Sequence, residues 1–197
     1  IQVATRLAHP NILPLFEAGC SGPPDAPLLW YAMPYVRGGS LRDLLDREGQ
    51  LPIEQALRIA REIAEALASA HASGFVHRDI KPENVLLEGD HAVVADFGLA
   101  RATSGISEVI TSSGIVVGTP AYMSPEQGSG RQRIDGRSDI YSLGCVLYEM
   151  LAGEPPFAGA TPQAVIARHQ MEALPSLRVV RRTISVELEA LVERALA

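Results

Sequence analysis

Residues 51–74, LPIEQALRIAREIAEALASAHASG, constrain the fold more than any other stretch. Pro52 falls in a first helical turn, where its missing N–H is not needed, and Gly74 supplies a stop. Ile53, Ala56, Leu57, Ala60, Ile63, Ala64 and Leu67 recur at the i, i+3, i+4, i+7 spacing that lines one face of an α-helix. Such a face must be covered by another layer. Downstream, NVLL and AVVAD flank EGDH and predict a short hairpin around Gly89. Helical patterns follow at 137–152, 161–172 and 185–197. Upstream, Val3 and Leu7 fit a helix tail that Pro10 stops. NILPLFEAG (11–19) and LLWYAMPYV (28–36) read as two strands across the turn-rich CSGPPDAP, and RGGS (37–40) is a break. The order predicts an α+β chain, with a small β part ahead of a mostly helical lobe.

Composition narrows the function. Hydrophobic residues make up 47% of the 197, enough for a sizeable core, and the length suits one domain. The net charge of -6 disfavours a generic nucleic-acid or anionic-membrane binder. RVVRR (178–182) is the one basic cluster and is expected on a solvated face. No uncharged apolar run reaches the roughly 18 residues of a membrane-spanning helix. Cys20 and Cys145 show no ligand spacing and read as reduced thiols. The histidines form no HExxH-type motif.

HRDIKPENVLL (77–87) carries the chemistry. Asp79, Asn84 and Asp96 are hard oxygen ligands of the kind Mg²⁺ prefers. Asp79 stands two residues before Lys81, so a loop can place both around one reacting group. The carboxylate can accept a hydroxyl proton while the ammonium offsets charge on a transferred phosphoryl group. DFG follows at 96–98. Lys81 is the single lysine in the chain.

HRDIKPENVLL, DFGLA (96–100), GTPAYMSPEQ (118–127) and DGRSDIYSLGCVLYEML (135–151) occur in register. With HPNILPLFEAG and MPYVRGGSL they extend a resemblance over nearly the whole chain. The chain resembles the eukaryotic-like (Hanks-type) serine/threonine protein kinases of bacteria. The resemblance implies a protein-kinase-like α+β fold. Residues 1–36 would be a remnant of the N-lobe and hinge, and 37–197 a C-lobe truncated at its C-terminal end. It implies ATP and Mg²⁺ (or Mn²⁺) as cofactors. Asp79 would be the base that orients the substrate hydroxyl, Lys81 would contact the γ-phosphate, and Asn84 and Asp96 would hold the metal. Met33 would guard the back of the adenine pocket. Pro34, Tyr35 and Val36 would form the hinge, with Leu86 on the pocket floor, although Val85, Leu86 and Leu87 equally suit plain core. Arg78 would pair with a phosphorylated loop residue. The candidates are Thr111 and Ser113, then Ser112 and Thr103, whose hydroxyls also suit a solvated loop. Thr119 would sit by the catalytic loop. Asp139 would brace that loop's backbone. Glu126 would lack its partner, an arginine expected beyond Ala197.

The implied partners are protein substrates with Ser or Thr, including autophosphorylation in trans, and no nucleic acid. A cytoplasmic location is expected, with any inner-membrane anchor outside this chain. The family's Gly-rich loop, its second lysine and that lysine's glutamate are all absent. Their places are contiguous and upstream, as a cut would leave them, and the isolated fragment is expected to be weakly active or inactive. The second reading is a pseudokinase-like binding or scaffold module.

Overall fold

The structure is a computed structural model that describes residues 7–23, 28–97, 120–130 and 134–197. Its axis is a helix, Gly136–Ala152, buried along nearly all its length. In chain order the strands are β1 (Glu17–Ser21), β2 (Leu28–Ala32), β3 (Val85–Glu88) and β4 (His91–Val94). The helices are α1 (Leu41–Glu48), α2 (Ile53–Ala72), α3 (Pro125–Gly128), α4 (Gly136–Ala152), α5 (Pro162–Met171), α6 (Leu177–Val180) and α7 (Val186–Ala195). Single 3₁₀ turns lie at Pro82–Asn84 and Pro120–Tyr122. Three of the helices match the patterns at 137–152, 161–172 and 185–197 to within two residues.

The long amphipathic segment forms α2, which packs on α4 and β4. Its buried residues are Ala56, Ile59, Ala60, Glu62, Ile63, Ala66, Leu67 and Ala70. The stripe is therefore rotated from the expected one: Leu57 is exposed, and Ile59, Ala66 and Ala70 point inward. The rotation follows from two partners, because a helix wedged between a helix and a hairpin buries more than one face. At its end Gly74 adopts φ 79°, and Phe75 N–H closes on Ala70 O at 2.9 Å, a glycine stop of the expected kind. Glu62, buried within α2, accepts Ala92 N–H at 2.6 Å and His91 Nδ1–H at 2.9 Å. It thereby fastens the β3–β4 hairpin to the helix.

Both hairpins are antiparallel. β3–β4 pairs Val85 with Val94 and Glu88 with His91, so Gly89 and Asp90 make the predicted turn. The upstream hairpin departs from expectation. β1 pairs Glu17 with Ala32 and Ser21 with Leu28, so Cys20 and Ser21 belong to the strand and not to the turn. Residues 11–13 join β4 instead: Val94 N–H reaches Asn11 O, and Leu13 N–H reaches Val94 O, each at 2.8 Å. Pro14, lacking an N–H, separates the two pairings, and Ile12 is buried beside Leu7 in the core. Of the expected helix tail at the start, Leu7, Ala8 and His9 fall among the described residues, and none of them is helical.

α1 was not expected. Ser40 and Asp43 cap it reciprocally, Asp43 N–H to Ser40 Oγ at 3.2 Å and Ser40 N–H to Asp43 Oδ2 at 2.7 Å. This is a capping box, legible as Ser-x-x-Asp before an apolar pair. α4 is capped by Asp135, whose carboxylate accepts Arg137 N–H at 3.0 Å, and it stops at Gly153 with φ 91°. A helix that is apolar on all sides belongs inside. α7 approaches it so closely that a Cβ at Gly144 would sit 3.1 Å from Ala195 and Leu196. Arg181 corrects the reading of RVVRR: its guanidinium donates to Leu51 O at 2.6 Å and binds the end of α4 to the start of α2, while Arg178 and Arg182 are exposed.

His169 on α5 is buried, hydrogen-bonded through Nδ1 to Tyr141 OH at 2.8 Å and edge-on to Phe157. Burial pushes its pKa down to about 4, against the nearby carbonyls of Ala121 and Pro120. Between about pH 6.5 and pH 4 the unfolded chain takes up a proton that the native state refuses. Stability is therefore lost as the pH is lowered through that window, by up to about 1.4 kcal/mol per unit. His169→Gln should flatten this slope in denaturation midpoints measured against pH. In the core, Leu67→Ala should cost about 2–5 kcal/mol in urea unfolding, since Leu67 is 0% exposed.

Candidate active site

The loop between α2 and β3 carries a backbone distortion that the rest of the molecule holds in place. Arg78 (φ 69°) and Asp96 (φ 64°) are the described non-glycine residues with left-handed backbone. Such residues persist only where their surroundings over-determine them. At Arg78 the constraint comes first from α4. Asp139, fully buried in its first turn, accepts His77 N–H at 2.8 Å and Arg78 N–H at 2.7 Å, and His71 Nε2–H at 2.7 Å. The expected bracing by Asp139 is thus seen as geometry, with His71 as an additional partner.

The second constraint comes from the strands. His77 is buried; its Nε2–H donates to Ala95 O at 2.8 Å and its Nδ1 accepts Asp79 N–H at 3.3 Å. These two bonds fix the neutral tautomer. Burial lowers the pKa of His77, outweighing the Ala95 carbonyl and the carboxylates of Asp139, Asp79 and Asp96. The ring also meets Phe97 edge-on, with centroids 4.6 Å apart. His77 and Phe97 thereby join the loop to the segment that carries Asp96, a role the sequence motif did not disclose.

The four chemically marked residues come together. Lys81 Nζ lies 2.8 Å from Asp79 Oδ2. Asn84 Nδ2 donates to the same oxygen at 3.0 Å and to Asp79 O at 2.7 Å. Ala95 N–H donates to Asn84 O at 2.8 Å, which sets Asp96 beside the turn. Burial raises the pKa of Asp96, and Asp79 adds to the shift while His77 and Lys81 oppose it. Two carboxylates facing one ammonium leave the cluster net negative. Asn84 has committed its amide nitrogen to Asp79, so its oxygen is the end free to act as a donor to a metal. With Asp96 it makes a pair of hard oxygen ligands that suits Mg²⁺ or Mn²⁺, ions that keep other positions for water and phosphate. Among the described residues no group of three His, Cys, Asp or Glu forms an all-protein cage.

Met33, Asp96 and Phe97 line a small, open cleft together with Ile12, Leu13, Pro14 and Leu15. Pro34 and Val36 are half-buried, and Tyr35 is exposed. Leu86 is half-buried and forms an antiparallel bridge with Ser40. Leu87 N–H donates to Gly39 O at 2.9 Å. A Cβ at Gly38 would overlap the Leu87 carbonyl, so only glycine lets this segment lie on the hairpin. RGGS is therefore a joint as well as a break.

Arg78 has an exposed side chain. Thr103, Thr111, Ser112, Ser113 and Thr119 lie outside the described residues. Glu126, whose expected arginine partner would lie beyond Ala197, accepts the Ser138 hydroxyl. Tyr122 OH and Arg42 Nη2 each donate to buried Glu149 at 2.6 Å, tying residues 120–122 to α1 and α4. Nothing in the spacing of these three residues announced that network.

This constellation on this fold defines a protein kinase domain, and residues 1–197 match that family throughout: the chain belongs to it. It is 44% identical over 199 residues to serine/threonine-protein kinase PknB of Mycobacterium leprae, covering 100% of this chain and 31% of that protein. Identity to PknB of Mycobacterium tuberculosis (H37Rv) is 42% over the same coverage. The probable serine/threonine-protein kinase SCO3848 of Streptomyces coelicolor is 41% identical over 196 residues, 99% of this chain and 29% of that protein. The chain spans about a third of the length of the curated relatives it matches. The family match agrees with the α+β kinase-like fold expected from the motifs.

Asp139→Ala strands three donors at once. It should destabilise the protein by about 3–5 kcal/mol in urea unfolding.

Proposed function

We propose that this chain is catalytic machinery of a serine/threonine protein kinase, moving the γ-phosphoryl group of ATP to a Ser or Thr hydroxyl of a protein. One observation carries the reading: Lys81 and Asn84 both bond to Asp79 Oδ2, and Ala95, the residue before Asp96, bonds to Asn84 O. Asp79 accepts the proton of the attacking hydroxyl as its oxygen bonds to phosphorus and the bond to the departing ADP breaks. Lys81, already beside Asp79, supplies positive charge to the transferred group. Asn84 and Asp96 are the residues that would hold Mg²⁺, which neutralises phosphate charge when bound. Met33, Pro34, Tyr35, Val36 and Leu86 would border the adenine.

The matched relatives are serine/threonine-protein kinases, which supports Ser and Thr as acceptors. Arg78, with its backbone pinned and its side chain exposed, suits pairing with a phosphate on Thr111 or Ser113 added in trans, and Thr119 would lie by the catalytic loop. A cytoplasmic location suits a domain that draws on ATP. No helix among the described residues is long and apolar enough to cross a membrane.

The test is phosphate transfer from labelled ATP by the full-length protein, with Mg²⁺ and a Ser/Thr-containing protein substrate. Asp79→Ala should lower kcat by about 10²–10⁴-fold. Asp96→Asn should lower transfer and weaken its response to Mg²⁺. Transfer by Asp79→Ala at the wild-type rate would refute the assignment.

A further inference from the structure

Gln127 follows the Ser-Pro-Glu of the SPEQ stretch and lies far along the chain from the loop that carries Asp79. It is buried, 7% exposed. Its Oε1 accepts Ser124 N–H at 3.1 Å and Ser124 O–H at 3.0 Å. Its Nε2 donates to Arg78 O at 2.8 Å. The orientation of the amide is forced, because a backbone N–H can only donate and a carbonyl can only accept; turning the group over would break both contacts.

The carbonyl it binds belongs to the peptide between Arg78 and Asp79. That peptide's N–H, on Asp79, reaches His77 Nδ1 at 3.3 Å. The preceding N–H, on Arg78, is taken by Asp139 at 2.7 Å. Arg78 itself sits at φ 69°, a conformation an arginine does not adopt without outside restraint. Side chains from α4 and α3 thus grip the N–H and C=O of one left-handed residue. The carboxylate of Asp79 starts from the plane so fixed.

We propose that Gln127 is a positioning residue of the phosphoryl-transfer site, whose amide N–H holds the Arg78–Asp79 peptide and couples residues 120–128 to the placement of Asp79. The proposal rests on the role assigned to Asp79 in the preceding section. A simple helix-capping role for Gln127 is the competing explanation, and one substitution separates the two. Glu at 127 keeps an oxygen for Ser124, since Glu serves as well as Gln in a capping box, but it has no N–H for Arg78 O. Ser124→Ala does the reverse, losing a capping contact and keeping the bond to Arg78.

The experiment compares full-length wild type, Gln127→Glu and Ser124→Ala by amide hydrogen exchange over residues 76–80 and by steady-state kinetics. In Gln127→Glu, exchange in that segment should rise about tenfold or more while α4 keeps its wild-type protection. kcat should fall about 10–100-fold with KM for ATP within about twofold of wild type. Ser124→Ala should change neither readout by more than about twofold. Unchanged exchange over 76–80 in Gln127→Glu overturns the proposal, as does a Ser124→Ala variant that matches Gln127→Glu in both readouts. If the wild-type protein transfers no phosphate, the proposed function fails separately, and the exchange comparison alone decides whether Gln127 holds the loop.

Discussion

One buried carboxylate organises the site. Asp139 is 0% exposed, and burying a charge is costly unless it is well bonded. Three donors meet it: the backbone N–H groups of His77 and Arg78 and the ring of His71. Its place in the first turn of α4 adds the favourable end of the helix dipole. α4 is also the axis against which α2 and α7 pack. The element that builds the core therefore also sets the loop that carries the chemistry. Loosening either loosens both, because the left-handed Arg78 has no intrinsic reason to stay where it is.

From that anchor the site is assembled by short-range backbone contacts. His77 links the loop to Ala95, Asn84 links its turn to Ala95 from the other side, and Asp96 follows next in the chain. The result gathers Lys81 and Asn84 on one oxygen of Asp79, with Asp96 next in the chain after the Ala95 contacts. Neutral His77 suits this arrangement, since a second cation there would compete with Lys81 for the same carboxylates. The flanking joint between Gly38–Ser40 and β3 fixes the segment after Met33 to the hairpin that bears Leu86.

What the sequence disclosed follows from distance along the chain. Asp79, Lys81, Asn84 and Asp96 fall within one short stretch, so a local motif sufficed to group them. The helices from residue 53 onward were legible because their burial is periodic. Pairings between distant residues were not. NILPL reads as a strand beside β2, yet its first residues pair with β4, a choice made by tertiary contact. Arg181 reads as solvated, yet it caps carbonyls of two other elements. Leu57 reads as core, yet α2 turns a different edge inward. Gln127 reaches the loop from far along the chain and His71 reaches Asp139 on α4, and single polar residues carry no periodic signal. α1 is different: its Ser-x-x-Asp box was present in the sequence and could have been used.

We propose that Asp79, Lys81, Asn84 and Asp96 form a metal-assisted phosphoryl-transfer centre. It is tested most directly by an experimental structure of the full-length protein with Mg²⁺ and a non-hydrolysable ATP analogue. Metal density touching Asp96 and the side-chain oxygen of Asn84, with the terminal phosphate beside Lys81 and Asp79, is the expected result. Nucleotide and metal bound elsewhere, with the Asp79–Lys81–Asn84 cluster empty, would contradict it.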